Sequence, residues 1–450
     1  MTKDKKFYAS LLMIALPFAF QNLISVGVNL LDNMMVSSLG DITFSAATLS
    51  NNISIYMMMI VRGLCGGSAM MISQYLGKND FGRIKIIFGI GMKSALVLSF
   101  IVTLVIQLFP YNVVSILTND EQIRLQCVEY LKIVSFSYLF YAVSETLIGM
   151  LRSIQVVIIS LIVSIISFFT NFFGNYILIF GKFGFPELGL RGAAIATVFS
   201  RFIEIIIVLI FIIFFEKKLH LKLKDILHND KIMWKDYLKY STPIAGGDML
   251  WGLVGLLRGI IIGHLSSEII AAYGATDLVM QLSTIFIFGL SSGGCVLIGK
   301  TVGAKDYKLT KEYSKTLQII FGITGFFFAL IVFFTRGPII NNFFDISNEA
   351  KIIAMQFLLI GAFSTWATSY AAACFVGINR GSGDAKFVVK TDLVCGWLIV
   401  LPLSALSGLV LKLPPPFIFM SMRIDQFIKV FIAYFRLNKT EKWIKNVTRD

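Results

Sequence analysis

The stretch 156–180 reads VVIISLIVSIISFFTNFFGNYILIF and contains no Asp, Glu, Lys or Arg. A helix needs about 20 predominantly apolar residues to cross a hydrocarbon core roughly 30 Å thick, and this run is longer than that. Comparable runs recur along the whole chain. They place twelve membrane-spanning helices at 11–36, 46–74, 86–109, 128–150, 156–180, 192–215, 240–263, 270–298, 316–336, 352–377, 387–411 and 414–435. The composition agrees: 56% of the residues are hydrophobic and 15% charged, whereas about a quarter of a soluble domain is charged. Strand-period alternation is absent, which argues against a β-barrel.

The net charge of +14 raises the question of a nucleic-acid partner, and the distribution of the charges answers it. Lys and Arg concentrate in the N-terminus, the connections after the even-numbered segments and the C-terminal tail. That is the positive-inside pattern of a multi-pass protein. It predicts a cytoplasmic location for both termini and for the basic linker 217–239, in a cell (plasma) membrane, with lipid and not nucleic acid as the surroundings. The first segment lacks a small-residue cleavage site and is expected to be a retained helix. Cys65, Cys127, Cys295, Cys374 and Cys395 lie in or beside apolar runs without metal-ligand spacing. The three histidines, His220, His228 and His264, offer no catalytic triad, and no GxxxxGK[ST] loop is present. No enzyme activity, metal or cofactor is expected, and an ion gradient is the remaining energy source.

Sliding the chain along itself until Pro17 meets Pro243 brings other features into register. Leu39 meets Leu265, Ala46 meets Ala272, Gly63 and Gly67 meet Gly289 and Gly293, and Gly77 and Asp80 meet Gly303 and Asp306. Each half then holds six helices, an even number, so both halves have the same orientation in the membrane, as in parallel-repeat transporters with a site between the lobes. The expected fold is all-α and integral to the membrane, with two pseudo-symmetric six-helix lobes: an N-lobe at 1–216, the linker 217–239 and a C-lobe at 240–450. The paired glycines have the spacing that lets helix backbones approach closely. Pro17 and Pro243 each remove a helix hydrogen bond and are candidate hinges.

Ionisable groups inside the membrane are costly and need a partner, a water-filled cavity or a function. They are Asp32, Arg62, Lys93, Lys132, Glu145, Arg201, Glu204, Asp248, Arg258, Asp277, Arg423 and Asp425. Arg201 and Glu204, three apart on one helix face, are expected to pair with each other. Asn171 and Asn175 stand four apart, so their amides stack on one face. With a carboxylate such as Asp32, and the hydroxyl of Thr197, they would make an all-oxygen cluster suited to a hard monovalent cation or to a proton on the acid. Intramembrane Asn also commonly serves only to join neighbouring helices.

These residues resemble the multidrug and toxin extrusion (MATE) family. The similarity is carried by Pro17 to Gly40 with Asp32 inside it, by GGSAMMISQYLGKND at 66–80, and by GGCVLIGKTVGAKD at 293–306. NFFGNYILIFGKFGFPELGLRGAAIAT at 171–197 and RGSGD at 380–384 complete it. The resemblance implies twelve helices, a central cleft, and export of small organic, often cationic compounds against inflowing H⁺ or Na⁺. It carries the family's cation site onto Asp32, Asn171, Asn175 and Thr197. Asp32 is the only carboxylate of that cluster here. In the second half the segment 352–377 lacks any Asp or Glu, so coupling is expected in the first lobe. Asp248, Arg258 and Asp277 are substrate-binding candidates, with an ion pair between Asp248 and Arg258 or another helix as the alternative role. Gln74 and Lys300, at matching positions, are expected to snorkel or cap loops. A flippase for lipid-linked sugars, drawing cationic groups from Arg62, Lys93 and Arg258, is the competing reading. A monomer is expected.

Overall fold

The computed structural model describes residues 1–449, and among them every regular element is helical. Ten helices are long and apolar enough to cross a membrane. In chain order they are α1 (Lys5–Ser37), α2 (Asp41–Gly77), α3 (Phe81–Leu108), then α6 (Ile158–Phe180), α7 (Gly189–Phe215), α8 (Lys231–Gly263), α9 (Ser267–Gly303), α10 (Tyr307–Phe343), α11 (Asn348–Arg380) and α12 (Ala385–Val410). Between α3 and α6, α4 (Glu121–Val134) and α5 (Phe136–Ser153) are long and apolar enough to cross only when taken together, and the pair is bent by 46°. The last helix, α13 (Pro415–Lys439), occupies the twelfth expected segment and carries Arg423, Asp425 and Lys429 in its middle.

The break in the fourth span falls at Ser135, where α3 supplies the hydrogen bonds that a bend leaves open. Thr103 Oγ1 donates to the Ser135 carbonyl at 3.0 Å, and Gln107 Nε2 donates to the Lys132 carbonyl at 2.6 Å. Backbone carbonyls freed inside a membrane need such partners. By contrast α1 and α8 continue through Pro17 and Pro243 as single helices.

The internal repeat is realised as matching local structure. Asp80 caps α3 by accepting from Arg83 N–H at 3.0 Å, and Asp306 caps α10 by accepting from Leu309 N–H at the same distance. The preceding Asn79 and Lys305 both have left-handed backbones, with φ of 58° and 60°. The Gly-x-x-Asp repeats are therefore helix stops followed by N-caps.

The compact units of the chain differ from the sequence halves. One comprises Met1–Ala19, Ser73–Asn79 and Gly246–Asp450, and the other Phe20–Ile72 and Asp80–Ala245. The glycines explain the exchange. In the second unit, a Cβ on Gly63 or Gly67 would lie 2.5 Å from Ala245 Cα and 2.4 Å from Ser241 Cα, so α2 receives the first half of α8 at backbone contact. In the first unit, a Cβ on Gly289 would lie 2.6 Å from the Ala15 carbonyl, so α9 receives the first half of α1. The end of α2 joins the same unit: a Cβ on Gly77 would lie 1.9 Å from the Lys300 carbonyl, and one on Gly303 1.8 Å from the Gln74 carbonyl. Gln74 is buried there, donating to the Gly381 carbonyl at 3.1 Å and accepting from Val447 N–H at 2.8 Å.

Candidate functional site

Helices α6 and α7 form a tight antiparallel pair, and this places the site. Gly181 ends α6 with a left-handed backbone (φ 62°), and the Leu188 N–H returns to the Leu178 carbonyl at 2.9 Å. A Cβ on Gly192 would sit 2.5 Å from that carbonyl, and one on Gly174 3.0 Å from Ala196 Cβ. This close approach sets Thr197 of α7 beside the Asn171 and Asn175 face of α6.

Asn171 and Asn175 are 4% and 1% exposed, and Asp32 of α1 is half-buried against them. The Asn175 Nδ2 group donates to Asp32 Oδ1 at 2.5 Å and to Asn171 Oδ1 at 3.3 Å. Asn175 Oδ1 is buried without a partner. Asp32 makes no ion pair with any described residue; its hydrogen bond comes from a neutral amide. Three of the four residues expected to form a cation cluster thus stand in one hydrogen-bonded chain. The fourth, Thr197, turns its hydroxyl back to the Ala193 carbonyl at 3.0 Å and lines the same cavity.

That cavity, of about 170 Å³, lies within one unit and is lined by Asp32, Asn171, Thr197, Arg62, Glu145, Arg201 and Glu204, among others. Arg201 pairs with Glu204 at 2.7 Å, as the spacing predicts. The Arg62 Nε donates to Tyr141 Oη at 3.2 Å. Tyr130 and Tyr138 also line the wall. Their contribution was not legible in the sequence, because an aromatic at a helical position carries no sign of which face it occupies. Lys93 is directed elsewhere, donating to the Leu227 and His228 carbonyls and to Asn229 Oδ1.

In the other unit Asp248, Asp384, Asp392 and Asp425 are already engaged. Arg380 holds Asp248 through two bonds, of 2.6 and 3.2 Å, so of the two ion-pair partners expected, Arg258 or another helix, the cation beside Asp248 comes from another helix, α11. Lys429 bridges Asp392 at 2.8 Å and Asp425 at 3.1 Å. Asp384, fully buried, holds Arg436 and Lys445, each at 2.6 Å. Asp277 is the exception, accepting only from Gln281 Nε2 at 2.7 Å among described residues.

The sequence profile of the MatE family matches residues 17–177 and 243–406. Among curated proteins, an uncharacterized transporter of Bacillus subtilis, YisQ, is 25% identical, the alignment covering 92% of this chain and 90% of that protein. A probable multidrug resistance protein of Thermotoga maritima, NorM, is also 25% identical, covering 88% and 84%. The multidrug export protein MepA of Staphylococcus saprophyticus is 25% identical, covering 89% and 88%. Among solved structures, a MOP superfamily transporter from Pyrococcus furiosus superposes with a TM-score of 0.86 at 13% identity, covering 96% and 95% of the two chains. The Vibrio cholerae MATE transporter VcmN in its bent form superposes with a TM-score of 0.85 at 16% identity, covering 96% and 97%.

Proposed function

We propose, from the premise that this chain belongs to the MatE family of multidrug efflux transporters, that it exports small organic compounds by antiport, with Asp32 as the coupling carboxylate. The observation that carries this reading is the bonding of Asp32. Among the described residues it is a membrane-embedded acid with no ion pair, whose hydrogen bond comes from an amide N–H and which lies beside an amide oxygen without a hydrogen-bond partner. A bare carboxylate in this position is costly, and a proton or a Na⁺ removes the cost. A half-turn of the Asn175 amide exchanges its donor for the orphaned Oδ1. The carboxylate and both amide oxygens, with Thr197 lining the same cavity, then offer hard oxygen ligands.

Neutralising Asp32 lets α1 repack around Pro17 and expel the compound, with Pro17 and Pro243 as hinges. One charge crossing 100 mV supplies about 2.3 kcal/mol, enough for a gradient of about fiftyfold. The multidrug relatives and the diversion of Lys93 away from the cavity favour efflux over flipping of lipid-linked sugars. The basic linker and both termini face the cytoplasm, the plasma membrane being the site of action, and the protein works as a monomer.

Efflux of a fluorescent cationic dye from cells tests the function: the wild type lowers dye retention, and Asp32→Asn, present in the membrane at the wild-type level, does not. Wild-type efflux by Asp32→Asn would move coupling to another acid. Thiol labelling of cysteines placed in the linker 217–239 tests the orientation. Labelling from outside intact cells would reverse it.

A further inference from the structure

Two membrane-embedded arginines of the first unit lack an acceptor among the described residues. Arg258 lies in the last two turns of α8 and Arg423 in the third turn of α13. Neither donates a hydrogen bond to, or forms an ion pair with, any described residue, and Arg258 Nε is buried without a partner. Arg423 rests its guanidinium over the Phe419 ring at 5.5 Å. The helices that carry them pack together, Ile261 and Ile262 of α8 against Ile418 and Met422 of α13, and the Phe419 ring under Arg423 meets Tyr273 of α9 at 6.3 Å, one turn before Asp277. Asp425 is already occupied by Lys429 at 3.1 Å and Gln426 at 2.7 Å. Asp277 is left as one acid against two cations.

The neighbouring cations are treated differently. Arg380, Lys429 and Arg436 each meet a carboxylate at 2.6 to 2.8 Å. Two like charges in a medium of low dielectric repel each other, and each guanidinium presents five donors that hydrocarbon cannot satisfy. Two planar forks on packed helices, neither with an acceptor among the described residues, suit a carboxylate, sulfonate or phosphate, which each fork can grip in bidentate fashion.

We propose that Arg258 and Arg423 form the anion subsite of a substrate site, with Asp277 receiving a cationic group, so that the exported compounds include zwitterions. This rests on the export reading but not on Asp32. In the orientation argued above, both arginines stand in the outer half of their helices, on the side of release. A lipid phosphate has the same chemistry as a substrate carboxylate, and the test separates the two sources.

A xanthene dye with a free carboxylate and its methyl ester differ only at the group the arginines would hold. Their binding is read by fluorescence anisotropy, without any gradient, on purified full-length protein in vesicles of phosphatidylcholine, with and without phosphatidylglycerol. The expected result is that Arg258→Gln and Arg423→Gln each weaken the acid about tenfold, about 1.4 kcal/mol, and leave the ester unchanged. Arg258→Lys, which keeps the charge, retains most of the affinity for the acid, and Asp277→Asn weakens both dyes. Equal effects of the arginine substitutions on acid and ester overturn the proposal. So does acid binding by the wild type that phosphatidylglycerol abolishes in the manner of a lipid-occupied site. Failure of the wild type to bind either dye counts against the export reading itself, whereas loss of export without loss of binding in Asp32→Asn leaves the subsite standing.

Discussion

Asp32 and four acids of the other unit are partnered in opposite ways. In the unit built from Phe20–Ile72 and Asp80–Ala245, Asp32 meets a neutral amide, and the nearest oxygen of that amide's pair is unused. In the other, Asp248, Asp392, Asp425 and Asp384 are each closed by a Lys or Arg belonging to the chain. A carboxylate that already has a fixed cation gains little from a mobile one, and on the reading proposed above Asp32 is the acid that would gain. The repeats share a framework of glycines and capping aspartates and differ in how these acids are partnered. Duplicated architecture therefore does not imply duplicated partnering of its acids.

The largest expected effect is functional and falls on the open side. Asp32→Asn abolishes gradient-driven export in proteoliposomes while the purified protein keeps its thermal stability; a marked loss of stability would make Asp32 a structural acid. On the closed side the largest effect is on folding. Asp384→Asn strands Arg436 and Lys445 around a fully buried site and costs about 3–5 kcal/mol, read as a fall in thermal midpoint. Asp248→Asn follows, with a smaller loss because its side chain is 27% exposed, and the loss is recovered in part when Arg380→Gln is added. If Asp248→Asn abolished export at full stability, the closed side would have a coupling acid after all.

How much of this contrast is legible in the sequence depends on range. The spans, the repeat and the four-residue spacing of Asn171 and Asn175 are local or periodic, and periodicity survives in one dimension. Asp32 joins them because an acid in an apolar run is conspicuous. The closure of Asp248 by Arg380 is not legible, since the two are far apart in sequence and Arg380 reads as part of the RGSGD motif. The break at Ser135 depends on Thr103 and Gln107 of another helix. The assignment of Met1–Ala19 to the unit of the second half follows from the face that Gly289 presents to Ala15. The glycine spacing announces close packing without naming the partner.

Smaller effects sharpen the comparison. Asn175→Ala removes both the donor to Asp32 and the unused oxygen, and lowers the export rate several-fold; Asn171→Ala lowers it less. An unchanged rate in both would leave the amides as helix joints. The smallest expected effects test the shared framework: Asp80→Ala and Asp306→Ala each remove one cap and cost about 1 kcal/mol, nearly equally, as measured by thermal unfolding. Unequal losses would show that the matched caps are not equivalent.

The central claim is that Asp32 alone exchanges its occupant with the substrate. It is tested most directly by adding a transported dye to the purified protein and recording the counter-ion released, as H⁺ with a pH indicator and as Na⁺ with an ion-selective electrode. The account predicts release from the wild type and from the Asp248→Asn, Arg380→Gln double variant, and none from Asp32→Asn. Release from Asp32→Asn at the wild-type amplitude would contradict it.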